Sequence, residues 1–562
     1  MNPATVEVVR HALLRACDEM KFIIRRTSPS PLTYEMQDFS VAVMDENADL
    51  LGQATGIPNF LGNLGTSVRT TAEDIGGFDY FEEGDVYITN DPYRTTAHLP
   101  DVTAFSPIFF QQTLVGFAVT RVHWIDIGSA KTVGGLFSEV FPEGTFYKSV
   151  RVYEKGKPNE SILRIIGANS RLPWSILGDL RAQAAACRIG EERYIKIIGK
   201  YGLMTFREAV RAIFDHGERT AREAVKKIQK GTYEATAYMD NDGIDLDKPI
   251  KIKVAVTVDN EGLLVDVDGS SGPVPGNCNC GLEQARTGAR TAFMNIVAPS
   301  YFANEGFFKP LRFKVPESSI FNAKWPSGTM FSWMPVEYFI DLIHTSLSQV
   351  IPDHVAAATY GCASICHIHS YDEVERKYWV MSDTEGGGWG GMMDKDGESA
   401  MKYGDVTNPP SEFLEKKYQV MVERYELVQD SGGPGKWRGG LGVIRDYRIL
   451  APNANLFVVY ERHKNRPWGI RGGSSGGMND AYVNFGTPSQ VECPKVTALP
   501  LKQGDVVRLM TGGGGGFGNP KERNAEMVKW DVLNGYVSRE SAEMDYGVKM
   551  DERVKTEILV KA

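Results

Sequence analysis

The sequence predicts an α+β fold, built as a large composite of several domains. Three observations carry this reading. At 562 residues the chain is longer than a typical domain of ~100–200 residues. Strand-like alternation and helical spacing occupy separate blocks of the chain. Glycine is abundant, 58 of 562 residues without a Gly-X-Y period, which signals many tight turns and close backbone approaches rather than collagen. A hydrophobic content of 42% with 24% charged residues is ordinary globular composition and excludes a disordered chain.

The elements follow in order. Pro3 suits a first helical turn, and Val6, Val9, Leu13, Ala16, Met20 and Ile23 recur at spacings of three and four, so a helix is predicted up to Ser28-Pro29. Phe39–Asp45 and Leu50–Gln53 read as a hairpin around a polar turn, followed by short strands at Asp85–Thr89, Val102–Phe105 and Leu114–Thr120. From about 170 to 230 an Ala/Arg/Glu/Lys-rich stretch predicts at least two long helices. Lys251–Val258 and Leu263–Asp268 alternate like a second hairpin. Further helices are predicted over 282–297 and near 336–350 and 411–423. An all-β, Gly-rich region spans 425–520, and a charged helical tail follows. The resulting organisation is a β-rich N-terminal block (1–165) carrying a candidate metal site, a helical region (166–235), a central α+β region (236–425), a Gly-rich β region (426–520) and a helical tail (521–562).

Several function classes are disfavoured at once. The net charge is −9 with no dense Lys/Arg block, so neither nucleic acid nor a membrane surface is an expected partner. No run of ~18 apolar residues suggests a span, and the first 20 residues lack a secretory pattern. Seven cysteines at irregular spacing do not form a disulfide framework, and a cytoplasmic location is expected.

The chemistry-bearing residues cluster in the N-terminal block. His98 and Asp101 lie in Asn90-Asp-Pro-Tyr-Arg-Thr-Thr-Ala-His-Leu-Pro-Asp101, His123 ends an apolar strand, and Asp38 precedes another. Functional side chains are often displayed at such strand ends and turns. Two imidazoles and two carboxylates suit zinc, manganese or iron. The spacing alone equally allows hydrogen-bonded turn histidines and capping aspartates. Gly512-Gly-Gly-Gly-Gly-Phe-Gly518 follows a strand but lacks the Lys-Ser/Thr of a phosphate loop, so a tight buried turn is expected. Gly386–Gly391 reads either as a cleft-lining loop with Trp389 facing a substrate or as a packed turn. His367 and His369 alternate on one strand face and read as packing. No Gly-x-Ser-x-Gly elbow is present at a strand-to-helix turn.

Asp38-Phe-Ser, Gly84-Asp-Val-Tyr-Ile-Thr-Asn-Asp-Pro-Tyr, His98-Leu-Pro-Asp-Val-Thr, Gly134-Gly-Leu-Phe-Ser-Glu-Val-Phe-Pro-Glu-Gly, Asp430-Ser-Gly-Gly-Pro-Gly and Arg438-Gly-Gly-Leu-Gly-Val form an ordered series. In this order they resemble the hydantoinase B/5-oxoprolinase family over about residues 5–520. That family includes subunits of ATP-dependent hydantoinases, caprolactamase, and acetone and acetophenone carboxylases. The resemblance implies a divalent metal, zinc first, held by Asp38, His98, Asp101 and His123. It also implies a hetero-oligomer with a hydantoinase A-type subunit that binds ATP and Mg²⁺. Asp126 is the expected catalytic residue, as a proton acceptor or as a partner holding a ligand imidazole. Glu139 and Glu143 lie in a family-like stretch without an assigned role.

The sequence departs from hydantoinase-like members where it reads His123-Trp-Ile-Asp126 and Met401-Lys-Tyr-Gly, both of which lose imidazoles. Together with Trp124, Trp333 and Trp389, this makes carboxylation of a ketone with bicarbonate the lead expectation. ATP-dependent ring opening of a hydantoin or lactam is the alternative, and a non-catalytic scaffold subunit the third reading. Trp124 reads equally as an aromatic wall or as core.

Overall fold

A computed structural model describes residues 2–550. The N-terminal block is built on a seven-stranded antiparallel sheet in the order β2-β1-β5-β4-β3-β6-β7. Its strands are β1 (Phe39–Asp45), β2 (Leu50–Gln53), β3 (Val86–Thr89), β4 (Asp101–Phe110), β5 (Thr113–His123), β6 (Val150–Glu154) and β7 (Lys157–Pro158). The expected strands are present, and the two central ones run longer than their apolar alternation suggests. They form one hairpin closed by Gln111-Gln112, both at positive φ (50° and 65°), the geometry that matches strand twist in two-residue turns.

Alternation sorts the side chains of this sheet into two cores. Val41, Val43, Val102, Ala104, Ala118 and Val122 pack beneath the helices Pro3–Thr27 and Pro173–Tyr201. Ala42, Met44, Tyr87, Phe105, Phe117 and Val119 face the other way and join a larger core. That core also holds the sheet of β8 (Gly231–Met239), β9 (Ile250–Val258), β10 (Leu263–Asp266) and β11 (Leu311–Lys314), together with the helices Leu282–Val297 and Trp333–Leu347. The two helices cross at Gly288, where a Cβ would lie 2.6 Å from Val336 Cγ1.

The C-terminal half carries two further sheets. One joins β12 (Ile365–Asp372) and β13 (Lys377–Thr384) to the strands Asn453–Val459 and Lys495–Lys502. The other orders Val420–Leu427, Val443–Ile449, Val506–Met510, Asp480–Val483 and Val491–Glu492. The helix expected over 411–423 stops at Lys417, because the β-branched, alternating residues from Val420 onward pair with Val443–Ile449. The tail forms short helices at Ala525–Leu533 and Arg539–Met544, and the expected helical tail beyond residue 550 lies outside the described residues.

The glycine tract is a packed structural element. Its amides are used inside the fold: Gly512 N–H donates to Asn479 Oδ1 (2.6 Å), Gly514 to the Gly440 carbonyl (3.0 Å), Gly515 to Ala358 (2.8 Å) and Gly516 to Ser474 (2.9 Å). Gly388 and Gly391 donate back to the carbonyls of Gly512 and Gly515, both at 2.9 Å. A phosphate loop needs those donors free. The Gly386–Gly391 segment is thus a packed turn, with Trp389 near Tyr403 at 6.0 Å between ring centroids. All seven cysteines are buried and unpaired. Among the described residues, no helix is long and apolar enough to cross a membrane.

Candidate metal centre

The sheet order explains why distant residues meet. β1, β5 and β4 are neighbours, and Asp38, His123 and Asp101 sit at the same end of these three strands. Asp101 and His123 are direct cross-strand partners, and the His123 amide donates to the Asp38 carbonyl at 3.2 Å. His98 reaches the same point from the turn entering β4, where the Asp101 amide donates to the His98 carbonyl at 3.1 Å.

The side chains converge. His98 Nε2 lies 2.9 Å from Asp101 Oδ1 and 3.1 Å from His123 Nδ1, and His123 Nδ1 lies 3.1 Å from the same oxygen. One ligand atom from each of these residues falls within 4.8 Å of the others. His98 Nδ1 faces the Met330 carbonyl at 2.7 Å. A carbonyl only accepts, so Nδ1 carries the proton and Nε2 presents its lone pair to the cluster. Lone-pair atoms this close require a shared proton or a cation between them.

Electrostatics agree with that demand. Burial alone would raise the Asp101 carboxyl, but His98 and His123 outweigh it and hold Asp101 below the usual carboxylate range. Burial would lower His98, yet the Asp101 charge and hydrogen bond push it up. Asp38, half-buried and near Asp101, is pushed up to about 6, chiefly by desolvation. Asp38 Oδ1 and Asp101 Oδ2 have no hydrogen-bond partner among the described residues. Buried carboxylate oxygens need a partner. Nitrogen and carboxylate donors with two such oxygens fit a divalent ion of the zinc, manganese or iron type.

Asp126 does not join this cluster. Its Oδ1 accepts from the Gly128 amide (3.3 Å) and the Arg171 guanidinium (3.0 Å). Its Oδ2 accepts from Ser170 (3.1 Å) and the Arg171 amide. The carboxylate thus fastens the segment after His123 to the loop entering the long helix. Trp124 is fully buried and donates its indole N–H to Gln183 at 3.0 Å, and it also lines the cavity beside His123, so it is a core residue that forms part of the wall.

The roles of two contributors were invisible in the sequence. Buried Glu143 accepts from the amides of Thr329 (2.7 Å) and Met330 (3.0 Å). It therefore sets the carbonyl that fixes the His98 ring. Trp333 stands edge-on to His98, with ring centroids 5.4 Å apart at 88°. The cluster opens on a cavity walled by apolar and aromatic side chains, among them Met36, Phe60, Met330, Phe331, Trp333 and Phe457. Its polar lining includes Gln284, Glu337, His367, Glu385, Lys402 and Tyr403.

With this geometry in view, residues 2–520 match a family model described as Hydantoinase B/oxoprolinase. The chain is 32% identical to a putative D-/L-hydantoinase subunit of Pseudomonas sp. (strain NS671), covering 98% of this chain and 96% of that one. It is 29% identical to the beta subunit of caprolactamase from Pseudomonas jessenii, over 98% and 97% of the two chains. The crystal structure of the ATP-dependent caprolactamase from that organism superposes with a TM-score of 0.91 at 26% identity, over 98% and 97% of the chains. The nucleotide-free structure of acetone carboxylase gives 0.89 over 97% and 80%, but at 17% identity this likeness shows the fold alone.

Proposed function

Since the chain belongs to the hydantoinase B/oxoprolinase family, we propose that it is the metal-carrying subunit of an ATP-dependent enzyme that opens a cyclic amide. The observation that carries this reading is the convergence of His98, Asp101 and His123 beside half-buried Asp38 at the head of a largely apolar cavity. Relatives similar along their whole length bear the names of a hydantoinase subunit and a caprolactamase subunit, which supports amide chemistry and assembly with an ATP-binding partner.

Asp38, His98, Asp101 and His123 would hold the ion, zinc first, with manganese and iron as the other candidates. The ion, when bound, supplies Lewis acidity toward an oxygen of the substrate. The chain's own residues prepare that site. Glu143 and the Met330 carbonyl fix the His98 ring, and Asp101 provides fixed negative charge under both imidazoles. Phe331, Trp333 and Phe457 keep the cavity wall apolar, which strengthens electrostatic interactions within it. The cavity reaches the cluster and the His123 side chain is 19% exposed, whereas a scaffold's purely structural site would be closed.

Ketone carboxylation with bicarbonate, the lead expectation from the sequence, becomes the second reading. It keeps the support of Trp333, Phe331 and Phe457 in the cavity wall. Trp124 also lines the cavity, with its indole N–H engaged by Gln183, whereas Trp389 packs near Tyr403 and adds nothing. The test is ATP consumption by the chain co-expressed with its hydantoinase A-type subunit. Consumption that depends on a hydantoin or lactam, with the ring opened, is expected. Consumption only with a ketone and bicarbonate would overturn the reading in favour of the second.

A further inference from the structure

Glu337 is 4% exposed and lines the cavity shared with the metal cluster, yet it has no protein hydrogen-bond partner for its buried Oε2 and no ion pair among the described residues. Its charged neighbour is paired with another carboxylate. Arg462, whose charge acts on Glu337, gives Nη2 to Asp341 at 2.7 Å and lies over the rings of Tyr338 and Trp468 at 4.2 and 4.8 Å, while its Nε and Nη1 have no partner among the described residues. Gln284 repeats the pattern on the adjoining helix: it is fully buried, lines the same cavity, and neither Oε1 nor Nε2 has a partner among the described residues.

The helix crossing sets both on the wall of one cavity. Gln284 lies one turn before Gly288 on the same helix face, and Glu337 follows Val336, the residue against which Gly288 is pressed. Trp333, one turn before Glu337, carries the edge-on contact to His98, so this helix face runs from the metal cluster to the carboxyl. Two buried, uncommitted polar side chains on one cavity wall are costly to keep unless something in the cavity uses them.

Their chemistry is specific. A small ring forces its amide cis, so the C=O and N–H present one edge with an acceptor and a donor side by side. A carboxamide offers the complementary donor and acceptor, and so does a neutral carboxyl. Burial pushes Glu337 well above the ordinary carboxyl range, against the opposing Arg462 charge, a direction that favours the neutral carboxyl.

We propose that Glu337, with Gln284 beside it, is the hydrogen-bonding seat for the cis-amide edge of the cyclic substrate. This rests on the amide reading of the site and adds the residues that recognise the amide. A ketone of the same ring size lacks the N–H and would leave one acceptor unsatisfied. A site built to bond an N–H penalises an analogue without it far more than a merely apolar pocket does.

The test uses the metal-loaded full chain and calorimetric binding of hydantoin and five- to seven-membered lactams, each lactam beside the cyclic ketone of equal ring size. Wild type is expected to bind at least one cyclic amide more than tenfold tighter than its matched ketone. Glu337→Leu and Gln284→Leu should weaken amide binding at least tenfold and erase that preference, with metal content unchanged. Glu337→Gln, which keeps a donor and an acceptor, should retain it. Amide binding by Glu337→Leu equal to wild type overturns the seat, as does a Glu337→Gln variant as damaged as Glu337→Leu. Wild type that binds no amide, or prefers the ketone, overturns it too. Turnover by the co-expressed wild-type complex separates the two levels: ring opening with Glu337→Leu binding normally removes the seat and leaves the amide reading, whereas ATP use with ketone and bicarbonate alone removes both.

Discussion

Replacing Gly514 with alanine tests whether the glycine tract is structural. An added Cβ would sit 2.1 Å from the Trp389 carbonyl oxygen, 2.2 Å from its carbon and 2.6 Å from the Gly390 nitrogen. All three are backbone atoms and cannot rotate away. Relief to a 3.0 Å contact requires a shift of about 0.9 Å. Gly514 is held on both sides, donating to Gly440 at 3.0 Å and accepting from Gly433 at 2.8 Å, so such a shift breaks or badly stretches both bonds. Two hydrogen bonds at ~1 kcal/mol each, plus ~1–3 kcal/mol of overpacking, give a loss of ~3–5 kcal/mol. Gly199→Ala is the control. It lies in the helix Pro173–Tyr201 with nothing within 4 Å of the added Cβ, and should be stabilising by ~0.5–1 kcal/mol. The assay is urea unfolding followed by tryptophan fluorescence. A Gly514→Ala midpoint equal to wild type would refute the packing argument and reopen the tract as a ligand loop.

Two other perturbations have definite signs. Burial pushes His344 down to about 4, and its Nδ1 accepts from the Ala356 amide at 3.2 Å. The unfolded chain therefore takes up a proton between pH 6.5 and 4 that the folded chain refuses, so this contribution is fully present above pH 6.5 and lost on acidification. Between pH 7 and 5, wild type should lose ~2 kcal/mol more than His344→Gln in urea unfolding, and parallel curves would contradict the assignment. Asp126→Ala removes the acceptor for Ser170 and for the Arg171 amide and guanidinium, and should cost ~2–4 kcal/mol of stability while leaving bound metal unchanged. Metal lost in a stable Asp126→Ala chain would return Asp126 to the cluster.

The candidate-site residues were legible because Asp38, Asp101 and His123 mark strand ends and His98 the turn before one, and such places can be read from apolar alternation and turn residues. What alternation does not carry is strand order. That β1, β5 and β4 are neighbours, and that Asp101 faces His123 directly, depends on pairings across the whole sheet. Asp126 follows His123 by three residues and lines the same cavity, and its bonds to Ser170 and Arg171 are contacts that proximity in sequence does not carry. Gln284 and Glu337 carried no local signal, and Glu143 only its place in a family-like stretch. Their roles come from Met330 and from a helix crossing, both contacts between distant segments. The helix expected over 411–423 runs four residues into the strand Val420–Leu427, where pairing with a distant strand decides the structure.

The central claim is that Asp38, His98, Asp101 and His123 hold one divalent ion. The most direct measurement is metal analysis of the purified chain beside His123→Ala and Asp101→Asn, with unfolding curves on the same samples. One ion per wild-type chain, lost in both folded variants, is the predicted result. Wild type without stoichiometric metal, or variants that keep it, would contradict the account.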